Sequence, residues 1–297
     1  MENKLLKAKK QEIRYFADKL SKEELLEIAE KNKNKAFGLF SGIADKFAKE
    51  KAEVKLVKII KRYDPFWHIV AESTVDYERK SKYSVIVSSE VKKLLIGDKE
   101  FLAEEGKKDN TVIFDSVDIC HEHKRKEVLM EGAVDIKDPA HIKNNDKYSV
   151  YLEHESKKIK EVEEMMKADV IVVPVVLKAA FILRSMLQEI INPVSADKIL
   201  DERAEVDQMI LYFKPVYLFE YKHSKKNDTR YIEIDSITGK VDIVKELEYK
   251  VSKELFTESA LFEIGVSAIS TLIPGGEAAY KVVKGIKEAR RRKKNKA

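Results

Sequence analysis

The chain is 297 residues long, with 44% hydrophobic and 37% charged residues, a single cysteine and a formal net charge of +5. That much apolar side chain excludes a wholly disordered protein, and the lone Cys120 excludes an internal disulfide. No stretch reaches the roughly 18 to 20 apolar residues of a spanning helix, since Val170 to Leu177 stops at Lys178 and Leu261 to Ile273 contains Glu263. The opening MENKLLKAKK lacks the apolar core of a secretory signal, so the expected address is cytoplasmic.

Charge is segregated along the chain. Residues 1 to 62 carry seventeen basic and ten acidic side chains, and residues 281 to 297 carry nine basic and one acidic. The ends therefore hold +7 and +8, which leaves −10 on residues 63 to 280. The Lys- and Glu-rich surface matches the composition of hyperthermophile proteins.

The first 62 residues read as a helical region. Ser21-Lys22-Glu23-Glu24 is a capping box, and Leu25, Leu26, Ile28 and Ala29 follow it. Phe37, Phe40, Ile43, Ala44 and Phe47 recur at helical spacing, as core or as a contact between copies of the chain. Tyr63 to Ala71 then reads as a strand, Glu78 to Lys82 as a polar turn and Tyr83 to Val87 as a return strand. Thr111 to Phe114 and Glu127 to Ala133 are further strands, and Lys137 to Lys147 is a polar loop.

The second half, 157 to 250, opens with a helix over Lys157 to Lys167 and a short strand over Asp169 to Val173. Val175 to Asn192 reads as a buried helix with Pro174 in its first turn and Pro193 at its end. Leu211 to Tyr221, a polar turn near Lys225 to Asp228, and Tyr231 to Asp235 form a second hairpin. It shares an aromatic-x-Pro-apolar-aromatic pattern with the first, which points to a diverged internal repeat. From 251 onward a small-residue helix breaks at Pro274-Gly275-Gly276 and a basic helix follows. The expected architecture is thus α+β, with N-terminal helices, a duplicated β core (63–156 and 157–250), a buried central helix and C-terminal helices.

Glu233-Ile234-Asp235-Ser236-Ile237-Thr238-Gly239-Lys240-Val241 resembles the return hairpin of PepSY-type modules, which turns on Asp-x-x-Thr-Gly-x-Val. The likeness covers about thirty residues around 231–244. It implies a local hairpin in which Asp235 caps the turn and Gly239 takes a positive φ.

Three groups of side chains carry candidate chemistry. Asp118-Ile119-Cys120-His121-Glu122-His123 packs a thiol, two imidazoles and carboxylates together. On a strand, His121 and His123 point the same way and offer two ligands for a divalent metal, to be completed by His141 and His154, or by Asp115. The alternative is an exposed polar strand beside Lys124-Arg125-Lys126. Trp67, His68 and Tyr217 form an expected aromatic pocket in which an imidazole is tuned toward neutrality, or else His68 is a plain strand residue.

In the tail, Lys281, Lys284, Lys287, Arg290, Arg291, Arg292, Lys293 and Lys294 surround an Ala- and Val-rich stripe. They suit the phosphates of RNA or DNA, an anionic membrane surface, or mere solubility. The stripe lacks the Trp, Phe and Leu anchors of interfacial helices, which favours nucleic acid. Nucleotide-binding, esterase and zincin signatures do not occur in the sequence. The function expected is that of a non-enzymatic, self-associating assembly protein that engages RNA or a ribonucleoprotein, with no cofactor. A metal-dependent hydrolase at the Cys120–His123 stretch and a peripheral membrane protein are the alternatives.

Overall fold

The computed structural model describes residues 8–38, 54–136, 141–166, 169–191, 193–224 and 228–245. Among them strand accounts for 56% and helix for 18%. This overturns the helix-rich α+β expectation: the described chain is mostly β. The stripe at 40–47 and both C-terminal helices read from the sequence lie outside the described residues.

The chain divides into two compact units, each assembled from separate stretches. Of the described residues, unit 1 takes those up to Ala71, Lys126–Leu187 and 206–245. Its strands follow the hydrogen-bonded order β10 (Val241–Val244), β9 (Asp228–Asp235), β8 (Lys198–His223), β2 (Val54–Val87) and β5 (Asn110–Glu131). Strand β1 (Lys10–Phe16) runs parallel to β8, with Ile13 opposite Leu211, and antiparallel to β6 (Ser156–Ile159). The short β7 (Val170–Val172) runs parallel to β2, with Arg62 opposite Ile171.

Strand β8 is buried on both faces within this unit, which is why it reads as a nearly continuous apolar run. Its odd-numbered Tyr217, Phe219 and Tyr221 pack with Leu25 and Ala29 of helix α1 (Lys22–Ala36) and with Ile232 and Ile234 of β9. Its even-numbered Ile210 and Tyr212 join Phe16, Phe66, Leu129, Tyr148 and Tyr151. Phe66 stacks on Tyr148 with centroids 4.6 Å apart and on Tyr212 at 5.2 Å. Each such buried ring contributes roughly 1.5–3 kcal/mol relative to its exposed state.

Helix α1 starts where the sequence places it, with the Ser21 hydroxyl accepting from the Glu24 amide and the Glu24 carboxylate accepting from the Ser21 amide. The flanking segments go the other way. Lys10–Phe16 and the residues from Val54 are strand because the sheet buries Ile13 and Phe16 and pairs their backbone.

The central helix α2 (Ala179–Ile190) is shorter than expected. The backbone before it is committed elsewhere: Val173 N donates to Tyr63 O, and Val176 N and Leu177 N donate to Gly132 O. Gly132 N in turn donates to Pro65 O, and a Cβ on Gly132 would lie 3.2 Å from that oxygen, a tight contact that glycine avoids. The expected helix at 157–167 is instead β6 and a 3₁₀ turn, Val162–Met165, closed by Glu164, whose carboxylate accepts from the amides of Lys160 and Glu161.

Of the described residues, unit 2 comprises Glu72–Arg125 and Gln188–Glu205. Here β2 and β5 continue beside a hairpin of β3 (Lys93–Ile96) and β4 (Lys99–Glu104), in the order β2, β5, β4, β3. Contacts between Asp76 and His121, Arg79 and Asp118, and Tyr83 and Phe114 run in opposite directions along β2 and β5, which makes the two strands antiparallel.

The expected turn at Glu78–Lys82 does not form, so the first hairpin and the internal repeat built on it are corrected: β2 passes straight through. Asp118 accepts from Arg79, Ser81 and Tyr83, so the polar run is held as a solvated strand. The second hairpin does form as β8 and β9, and the two Pro-aromatic segments share one sheet as neighbouring strands. No helix of the described residues is long and apolar enough to cross a membrane.

Candidate functional site

Within unit 1 a cleft of about 330 Å³ opens at the β9–β10 turn. Its charged walls come from Arg62 and Asp64 on β2, Lys214 on β8 and Glu233 and Asp235 on β9, with Tyr148 and Tyr151 from the 3₁₀ segment Asp146–Glu153. Arg62 and Asp64 share a strand face because they are two residues apart. The guanidinium donates to both oxygens of Asp64 at 2.5 and 2.7 Å and to both oxygens of Glu233 at 3.0 and 3.1 Å. Burial nevertheless holds the Glu233 carboxyl above its ordinary range, because desolvation outweighs the attraction of Arg62.

Asp235 has the opposite balance. Burial pushes its pKa up, but the Lys214 ammonium 3.0 Å away, the Tyr151 hydroxyl and the amides of Ile237 and Thr238 hold it below the ordinary carboxyl value. Burial also drives the Tyr151 and Tyr148 hydroxyls upward, so both rings are neutral donors. The hairpin turn is the one the PepSY-like motif implies: Asp235 caps it and Gly239 has φ of 71°. The network locks β2, β8 and β9 together, and its ions satisfy one another.

Trp67 is fully buried and its indole N–H donates to Leu177 O at 2.7 Å. His68 is 7% exposed, with Nε2 2.6 Å from the Glu127 carboxylate and the Gln208 amide within 3.2 Å of the ring. Tyr217 lines a depression of about 460 Å³ with Lys61, Ile171 and Phe219, and neither Trp67 nor His68 lines it. Its hydroxyl donates to Asp18 at 3.1 Å, and the Lys61 ammonium lies 5.5 Å above its ring.

In unit 2, His121 and His123 occupy one face of β5, as the strand reading requires. The Nδ1 atom of His121 lies 2.6 Å from Asp76, and Nε2 of His123 lies 3.3 Å from Glu72. Cys120 points to the other face, beside Tyr77. The basic residues Lys281 to Lys294 lie outside the described residues. No family model, curated protein or solved structure matches the chain.

Sequence reasoning passed over Arg62, Lys214, Glu233 and Asp235 as chemistry. Their signal was a charge placed within a buried strand run, as in Leu211-Tyr212-Phe213-Lys214-Pro215. It passed over the outer face of unit 2 as well. The register places Lys93 opposite Leu102 and Ala103 opposite Val112, so Leu95 and Leu102 share a face with the odd-numbered residues of β5. The Asp76–His121 pair adds the even-numbered residues of β2 to that face. Leu95, Leu102, Val117, Ile119 and Ile86 are 63%, 76%, 56%, 73% and 74% exposed on it.

Proposed function

We propose that the chain is a self-associating assembly protein, in which unit 2 docks onto the same face of a second copy and the basic ends engage RNA or a ribonucleoprotein. The observation that carries the reading is the set of five large aliphatic side chains standing in water on one sheet face. Water-exposed apolar side chains grouped on one surface mark an interaction site.

A second copy is favoured as the occupant because the face complements itself. Lys80 and Lys82 stand with Glu100 and Asp115 on the same side, so a two-fold rotation can set cations against anions around the aliphatic positions. The edge supports this too: β3 is the last strand of the order, and its outer backbone has no strand beside it among the described residues. The RNA arm rests on the nine basic and one acidic residues of 281–297.

Sedimentation of the full chain tests the docking. The unaltered chain is expected to show a concentration-dependent dimer, and Leu102→Ser with Ile119→Ser to remain monomeric. A monomer at every concentration, or a dimer that ignores both substitutions, contradicts the reading. Removal of Arg290 to Lys296 is expected to weaken RNA retention and flatten its dependence on salt; unchanged retention at low salt contradicts the RNA arm.

A further inference from the structure

The two imidazoles of unit 2 are held in a way that docking does not require. His121 and His123 are two residues apart on β5, on one face, with side chains 64% and 47% exposed. A carboxylate from β2 stands against one ring nitrogen of each: Asp76 against Nδ1 of His121, and Glu72 against Nε2 of His123. A neutral imidazole that donates from one nitrogen keeps a lone pair on the other. In the tautomer that donates to its carboxylate, His121 would present Nε2 as a ligand and His123 would present Nδ1.

Ligating histidines characteristically donate their second nitrogen to a carboxylate, which fixes the tautomer and makes the ligand more basic. Both histidines already have such a partner. Strand positions two apart are separated by about 6.7 Å along the chain. An ion held by both rings would sit roughly 2.0–2.1 Å from each ligating nitrogen.

From this arrangement we propose that His121 and His123 bind one divalent transition-metal ion, of the zinc, nickel or copper class. Asp76 and Glu72 act as orienting partners and water fills the remaining positions. Imidazole pairs select these ions over magnesium and calcium, which prefer oxygen ligands. Cys120 has no part in the site, because it faces the other side of the strand.

Zinc titrated calorimetrically into the metal-stripped full chain tests the proposal, with imidazole NMR shifts as a second readout. One ion is expected per chain, with His121 and His123 the rings that shift. Each of His121→Ala and His123→Ala should weaken binding by at least tenfold. Asp76→Asn should weaken it by about tenfold through loss of orientation, and Cys120→Ser should leave it unchanged. The titration is repeated in the Leu102→Ser, Ile119→Ser variant, so that a dimer covering the face cannot hide the site. Absence of uptake at millimolar zinc in both backgrounds overturns the proposal, as does uptake that survives loss of both histidines or vanishes with Cys120→Ser.

Discussion

Strand β2 is two different strands in one. Within unit 1, Pro65 to Ala71 are all buried, with Phe66, Trp67 and Ile69 fully out of water. Within unit 2, Lys82 to Ile86 are all exposed, although Tyr83, Val85 and Ile86 are as suited to a strand as anything before them. The covalent pattern hardly changes along the strand; what covers its two faces does. The comparison separates two uses of apolar side chains, one holding the chain together and the other left facing water.

The sharpest way to break that contrast is to truncate one aliphatic or aromatic group on each side. Trp67→Ala is expected to cost about 4 kcal/mol in urea unfolding, from a lost indole and the cavity it leaves. Ile119→Ala, compared at a dilution where the chain is monomeric, is expected to stay within about 0.5 kcal/mol. Equal losses at the two positions would abolish the distinction. Next in size is Arg62→Met, which strands the carboxylates of Asp64 and Glu233 and should cost about 3 kcal/mol at neutral pH.

The two acids of the unit 1 cleft should show opposite linkage. Asp235 has a folded pKa below its ordinary 3.8, so its contribution is present above that value and is lost as pH falls below it. Asp235→Asn should lower neutral stability and flatten the acid limb of an unfolding profile between pH 2 and 7. Glu233 has a folded pKa above its ordinary 4.5, so the fold favours its protonated form and loses that preference as pH rises through the raised value. Glu233→Gln should therefore cost less at neutral pH than Asp235→Asn, and the reverse order would contradict the assigned balance. A modest loss is expected at Gly239→Ala, about 1 kcal/mol from the left-handed backbone alone. A Cβ there meets only Leu20 at an ordinary 3.5 Å.

Local signals with a stereochemical cause were legible in the sequence. The capping box at Ser21, the Asp235–Gly239 turn and the β8–β9 hairpin each depend on residues close together in the chain. Long-range strand pairing was not. Lys10–Phe16 has no strand signature of its own and becomes one beside β8, nearly two hundred residues away. Glu78 to Lys82 has the composition of a turn, and only Asp118 on β5 reveals it as strand.

The candidate sites divide along the same line. The shared face of His121 and His123 followed from period-two geometry, whereas Asp76 and Glu72 beside them depend on the pairing of β2 with β5. The Trp67, His68 and Tyr217 grouping joined residues of similar character whose side chains serve different contacts.

Amide hydrogen exchange of the full chain at low and high protein concentration tests the docking face most directly. Residues 209–219 of β8 should be strongly protected at both concentrations, because the core of unit 1 covers them. Residues 93–104 of the edge hairpin should exchange faster when dilute than when concentrated, as a second copy covers the face and suppresses local opening. Exchange in 93–104 that does not change with concentration would contradict the account.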